Sequence, residues 1–187
     1  MYEESLDPKW LNLPNFQVFE LGNGNSKNSF NDDQIRFYMS HFHKRIDSLI
    51  VSRMGSPSIS MFNFEHPINL RRLQINGLDR DSERAWVSFL RNQHNIVELI
   101  IKVKSPPIWE EFYKMKSIQS IILESFTAVK ILTRGINRGN WANLRSIALK
   151  IIEFKPLRPY HQSVDITPLL DAIAIECPNI QILKMRC

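Results

Sequence analysis

The stretch Ala142-Asn143-Leu144-Arg145-Ser146-Ile147-Ala148-Leu149 decides the fold, because its pattern returns along the chain. An apolar residue is followed by two variable residues, a second apolar residue, one variable residue and a third apolar residue. The pattern recurs at 69–75, 95–101 and 178–185. Apolar side chains at alternate positions are typical of a β-strand with one buried face. The recurrence predicts an array of similar units.

Seven units carry the pattern, and their first apolar positions are 16, 46, 70, 96, 118, 144 and 180. The intervals are therefore 30, 24, 26, 22, 26 and 36 residues. Leucine-rich repeats are about 20–29 residues long, with insertions in single units, so four of the six intervals fit directly. The spacing predicts an α/β leucine-rich-repeat solenoid. This horseshoe would have parallel strands on its concave face and helices or irregular segments on its convex face.

The alternative is a generic doubly wound α/β protein. Such a fold needs no repeated strand motif, whereas here Asn precedes the first apolar residue at five of the seven sites. The two long intervals hold a Gly/Asn/Ser loop at 22–29 and a proline-rich insertion at 155–161. The insertion is either a binding loop or a tolerated surface loop, since insertions in repeats lie on one face.

The clearest helix is predicted near the C-terminal end of the chain. Thr167 is expected to be its N-cap, with Pro168 at the first helical position. Its buried face is expected to contain Ile166, Leu169, Leu170, Ile173, Ala174 and Cys177, which are spaced three or four residues apart.

Length and composition favour a globular protein. The chain has 187 residues, of which 43% are hydrophobic and 23% charged, with a net charge of +5. Stacked repeats need polar capping units, and none is evident in the sequence. We therefore expect residues 1–187 to form one leucine-rich-repeat domain of about seven irregular units within a longer chain.

Cys177 and Cys187 are the two cysteines, too few for a disulfide framework or a four-cysteine zinc site. The first residues lack the pattern of a signal peptide, and no apolar run approaches the length of a membrane span. We expect a cytoplasmic or nuclear protein with no membrane association.

The strand register predicts the working surface, because alternate residues of each strand point away from the core. Exposed apolar neighbours with a charged rim are typical of a protein interface. Ile100 and Ile122 should lie side by side near Ala148. The predicted partner-binding residues are Ile50, Arg72, Gln74, Glu98, Ile100, Lys102, Ile122, Glu124, Ala148, Lys150 and Lys184. The alternative is that another segment covers the isoleucines as ordinary core.

Other chemistry finds little support in the sequence. Lys102, Lys150, Lys184 and Arg186 form a predicted basic edge, but no stacking aromatic residues interleave with them, so no nucleic-acid partner is expected. The pair His41 and His43 would point apart on a helix and lacks further ligands. No catalytic, cofactor-binding or metal-binding residues are predicted.

The junction Glu176-Cys177-Pro178-Asn179-Ile180-Gln181-Ile182-Leu183 resembles the Cys-Pro-Asn-Leu-x-x-Leu junction of F-box/leucine-rich-repeat proteins. In that family a curved solenoid presents a target to a Skp–cullin–F-box ubiquitin ligase. The Asn or Cys that normally follows the strand is missing here, and so is an F-box; contact with a ligase adaptor would require a segment absent from this sequence.

The resemblance implies a non-catalytic protein–protein interaction module that recognises ligase substrates. A ligase-independent scaffold or adaptor is the alternative within the binding class. An enzyme with dispersed catalytic residues is the alternative from a different class.

Overall fold

Each of the seven repeated motifs contains a β-strand in the computed structural model. The structure describes residues 17–22, 32–52, 68–78, 80–103, 105–124, 127–150 and 165–186. The strands are β1 (Val18–Gly22), β2 (Ser48–Ser52), β3 (Arg72–Ile75), β4 (Glu98–Ile101), β5 (Ser120–Glu124), β6 (Ser146–Lys150) and β7 (Ile182–Arg186). The helices are α1 (Asp32–Phe42), α2 (Glu83–Arg91), α3 (Pro106–Phe112), α4 (Ala128–Ile136) and α5 (Thr167–Glu176), with a 3₁₀ turn at Arg80–Ser82.

The described strands form one sheet in which every pair is parallel and the spatial order is the chain order. The inward residues Leu49, Leu73, Leu99, Ile121, Ile147 and Leu183 occupy equivalent register positions on successive strands. The predicted α/β class and the predicted strand alignment are therefore confirmed.

A hydrogen-bond pattern repeats at every strand junction. The N–H groups of Ser48, Arg72, Glu98, Ser120, Ser146 and Ile182 each donate to the carbonyl of the residue immediately before the preceding strand, at 3.0–3.1 Å. Because the same bond forms six times, each unit is placed on its predecessor in the same way.

At three of the motifs, the polar residue before the first apolar position makes a second contact with the previous unit. The side chains of Asn143 and Asn179 donate to the carbonyls of Lys116 and Ala142, at 3.1 and 3.3 Å. Ser117 donates to the carbonyl of His94 at 2.9 Å. These bonds satisfy backbone carbonyls that the sheet ladder does not use, which gives the recurrent Asn a physical role.

The inward strand residues and the helices share one apolar core. Trp86, Trp109 and Trp141 are buried in it, while Trp10 lies outside the described residues. The Trp141 indole N–H donates to the carbonyl of Phe112 at 3.2 Å. This bond ties the turn after α4 to the end of α3.

The predicted start and apolar face of α5 both need correction. The helix already includes Thr167, and its N-cap position is Ile166. The side chain of Asp165 accepts the Thr167 N–H at 2.9 Å. Leu169, Ile173 and Cys177 are buried as predicted, but Leu170 and Ala174 are exposed. The buried stripe is narrower because α5 is the last helix of the described array and has a helix neighbour on one side.

Exposed apolar side chains concentrate at the two edges of the sheet and in the helices beside them. Among the described residues, the large exposed hydrophobic side chains are Val18, Phe37, Leu170, Ile175, Ile182, Leu183 and Met185. Leu183 and Met185 are 37% and 40% exposed, although the residues aligned with them on β6, Ile147 and Leu149, are 0% and 2% exposed.

Candidate protein-binding face

The side of the sheet turned away from the helices forms three rows of residues, here called the outward face. The central row is Glu20, Ile50, Gln74, Ile100, Ile122, Ala148 and Lys184, which are aligned in the strand register. The amino-end row runs through Ser48, Arg72, Glu98, Ser120, Ser146 and Ile182. At the carboxyl ends lie Ser52, Asn76, Lys102, Glu124 and Lys150. The structure thus brings together all eleven predicted partner-binding residues.

The centre of the outward face is apolar, with Ile100 beside Ile122 and Ile122 beside Ala148. The prediction that Ile100 is exposed is wrong, because its exposed fraction is 9%. Adjacent strands are about 4.8 Å apart, so Gln74 and Ile122 crowd Ile100 from both sides. Among the described buried apolar residues, Ile100 alone is not joined to the main core. Ile122 and Ala148 remain partly exposed.

Ion pairs between neighbouring strands border this apolar centre. Arg72 Nε lies 3.3 Å from Glu98 Oε2 in the amino-end row. In the carboxyl-end row, the Glu124 carboxylate lies 2.9 Å from Lys102 Nζ and 3.8 Å from Lys150 Nζ. The predicted basic edge is therefore partly neutralised by Glu124. Lys184 is exposed and makes no ion pair within the described part of the chain, and the side chain of Arg186 lies outside that part.

The β2–β3 end of the face is held by polar side chains. Gln74 Nε2 donates to Asn76 Oδ1 at 3.0 Å, and Asn76 Nδ2 donates to Ser52 Oγ at 3.1 Å. Ile50 is half-buried beside Gln74. This chain of bonds restricts the rotamers of Gln74, Asn76 and Ser52 at this end of the face.

The described residues offer this face a limited chemistry. No group of three His, Cys, Asp or Glu side chains in these ranges could hold a metal ion. His41 Nδ1 lies 2.9 Å from the carbonyl oxygen of Phe37, and His43 Nδ1 lies 2.9 Å from that of Met39; both carbonyls are in α1. None of the helices described is both long and apolar enough to cross a membrane. The residues of the apolar centre can exclude water from a contact. The charged residues at its borders can form ion pairs.

The cation-rich cavity on the helix side was not found from the sequence. Its volume is about 680 Å³, and it is lined by Val129, Lys130, Thr133, Arg134, Asn137, Arg138, Asp165 and Pro168. The spacing of Lys130, Arg134 and Arg138, four residues apart on one helix face, was the available signal. The insertion at 155–161, the other predicted binding element, lies outside the described residues.

Comparison of the chain with models of protein families, with curated proteins and with solved structures found no match in any of the three.

Proposed function

We propose that the chain is a leucine-rich-repeat solenoid that acts as a non-catalytic protein-recognition module. Two features support a stacked-repeat architecture: the parallel strand order, and the backbone hydrogen bond that recurs at all six strand junctions, with the added side-chain contact of Asn143. In a stacked array the strands line one continuous surface, which suits extended contact with a macromolecule. The outward face is then the concave side of the horseshoe, and the helices lie on its convex side.

The observation that carries the proposal is the apolar centre of the outward face. Ile100, Ile122 and Ala148 are adjacent on three strands and separate from the helix-side core. An apolar centre with a polar rim is the usual anatomy of a protein interface. The flanking ion pairs are partly exposed and contribute little to folding, about 0–1 kcal/mol each, so their value lies in selecting a partner.

The setting we propose is substrate recognition within an F-box-type ubiquitin ligase. The support is the resemblance carried by the Cys177-Pro178-Asn179-Ile180 junction. Cys177 is buried, and its thiol lies 3.7 Å from the carbonyl oxygen of Trp141. The junction therefore closes α5 onto the preceding unit, as a repeat junction should. A ligase-independent scaffold would use the same face.

The test is affinity capture followed by quantitative mass spectrometry, comparing the unmodified chain with the double variant Ile122→Glu/Ala148→Glu. Both positions are partly exposed, so the folding penalty should be small. In an interface each unpaired carboxylate would cost several kcal/mol. We expect capture of the specific partner to fall at least about tenfold, with the melting temperature nearly unchanged.

The matched control is Ala142→Glu/Ala174→Glu, which adds the same charge at exposed positions away from the outward face. Capture by this control should equal that of the unmodified chain. If the face variant retains its partners while folded, the outward face is not the binding site. Co-capture of a Skp-type adaptor and a cullin would support the ligase setting, whereas a partner captured without them would favour the scaffold.

A further inference from the structure

The cavity between α4 and α5 lies among the helices, away from the outward face of the sheet. Its walls come from α4, from the turn after α4 and from the start of α5. Val129 and Pro168 supply apolar surface, while Lys130, Arg134 and Arg138 supply positive charge. A volume of about 680 Å³ lies within the range of sites for small ligands, about 300–1,000 Å³.

Arg134 and Arg138 are held in place by Glu110 of α3 and by Tyr113, the residue that caps the C-terminal end of α3. The Glu110 carboxylate accepts a hydrogen bond from Arg138 Nη1 at 2.6 Å, and its Oε1 lies 2.9 Å from Arg134 Nη2 in an ion pair. The Arg138 guanidinium also lies 4.8 Å above the centre of the Tyr113 ring. The hydrogen bond from Arg138 lowers the pKa of Glu110, so this carboxylate remains ionised. The arginines are thus positioned without a ligand.

The two acidic groups near the cavity already have partners. Glu110 binds both arginines, and Asp165 accepts the backbone N–H of Thr167 at the start of α5. The backbone hydrogen bond to Thr167 also lowers the pKa of Asp165. Neither carboxylate forms an ion pair with Lys130 within the described residues, although the ionised Asp165 also lines the cavity.

The position of the positive charge of Lys130 is not explained by the stability of the fold. It lies in the first turn of α4, where the helix macrodipole disfavours positive charge, whereas Arg134 lies in the last turn, where the macrodipole favours it. Lys130 makes no ion pair within the described part of the chain. Within the same described residues, no hydrogen-bond or ion-pair partner is found for Nε and Nη1 of Arg134 or for the side-chain amide of Asn137. Lys130, Arg134 and Asn137 all line the cavity.

We propose that this cavity binds the dianion of a phosphate monoester. Three terminal oxygens and a charge near −2 match an ammonium, a guanidinium and an amide better than a single carboxylate does. The ester-linked group would rest against Val129 and Pro168. The phosphate could be carried by a phosphorylated peptide side chain or by a free small metabolite, since both present the same group. This site is independent of the proposed function of the outward face.

The experiment is calorimetric titration of the full chain with inorganic phosphate, glucose 6-phosphate, a phosphoserine pentapeptide and its unphosphorylated counterpart. We expect saturable binding of the three phosphate-bearing probes and none of the unphosphorylated peptide. Tighter binding of the phosphopeptide than of glucose 6-phosphate would identify a peptide as the source. The reverse order would identify a free metabolite.

The variants Lys130→Gln and Arg134→Gln should each weaken binding about tenfold, because each removes a charge-assisted hydrogen bond. The matched control is Arg91→Gln on α2, which removes an exposed arginine paired with Glu111 outside the cavity. It should leave the affinity unchanged within about twofold. The proposal is overturned if no phosphate-bearing probe binds saturably below about 10 mM, or if Arg91→Gln weakens binding as much as the cavity variants.

Discussion

Ile121 and Ile122 are neighbours in β5, yet their side chains serve opposite faces of the sheet. Ile121 is fully buried and lies in register between Leu99 and Ile147 in the core. Ile122 belongs to the outward face and is partly exposed. The same residue type at adjacent positions therefore gives a direct comparison of core packing with surface contact.

We expect Ile121→Ala to lower the free energy of unfolding by about 2–5 kcal/mol, because it leaves a cavity between stacked units. Ile122→Ala removes less buried area and should cost about 1 kcal/mol. Urea denaturation of the two variants measures both values. Equal losses would contradict the assignment of Ile122 to a surface separate from the core.

Helix α4 packs closely against the turn that follows it, where Gly135 contacts the ring of Trp141. A Cβ atom built on Gly135 would come closer than 3.0 Å to ring carbons of Trp141. Trp141 is buried and hydrogen-bonded to the carbonyl of Phe112, so its ring has little room to move. Gly135 is the second-last residue of α4, and the Trp141 ring leaves no room there for a Cβ atom.

We expect Gly135→Ala to destabilise the protein despite its better helix propensity. The gain from propensity is about 1 kcal/mol, whereas overpacking costs about 1–3 kcal/mol and more when the neighbour is fixed. Thermal unfolding should show a lower melting temperature. In a double-mutant cycle, Trp141→Leu should abolish most of the penalty. A stabilised Gly135→Ala variant would show that the ring moves freely.

Across the whole molecule, burial changes from the middle of the array to its edge. The inward residues of β4 and β5 are almost completely buried, whereas those of β7 are partly exposed and β7 pairs with β6 alone in the described sheet. Local opening is easiest where few apolar contacts must be broken. The last described strand should therefore be the least protected part of the sheet.

Hydrogen exchange measures this difference directly. We expect the amides of β7 that pair with β6 to exchange at least about tenfold faster than those of β4 and β5, which corresponds to about 1.4 kcal/mol less protection. The amides of β6 are the internal control, because β6 has a strand on each side. Equal protection of β7 and β5 in a monomer would mean that the edge is covered.

Where the strands lie, that they are parallel in chain order and which residues occupy each face can all be predicted from the amino-acid pattern. These features follow from local periodicity: a side-chain period of two separates Ile121 from Ile122, and the repeat spacing places equivalent residues side by side. Eleven residues chosen from this pattern lie together on the outward face. Their binding role remains a prediction.

How exposed and how charged each surface is depends on the tertiary packing. The burial of Ile100 depends on Gln74 and Ile122 crowding it from adjacent strands, and the pairing of Glu124 depends on the reach of two lysines from neighbouring units. The cavity beside α5 depends on how α4 and α5 pack. These properties arise from distances between residues far apart in the chain, which no local pattern specifies.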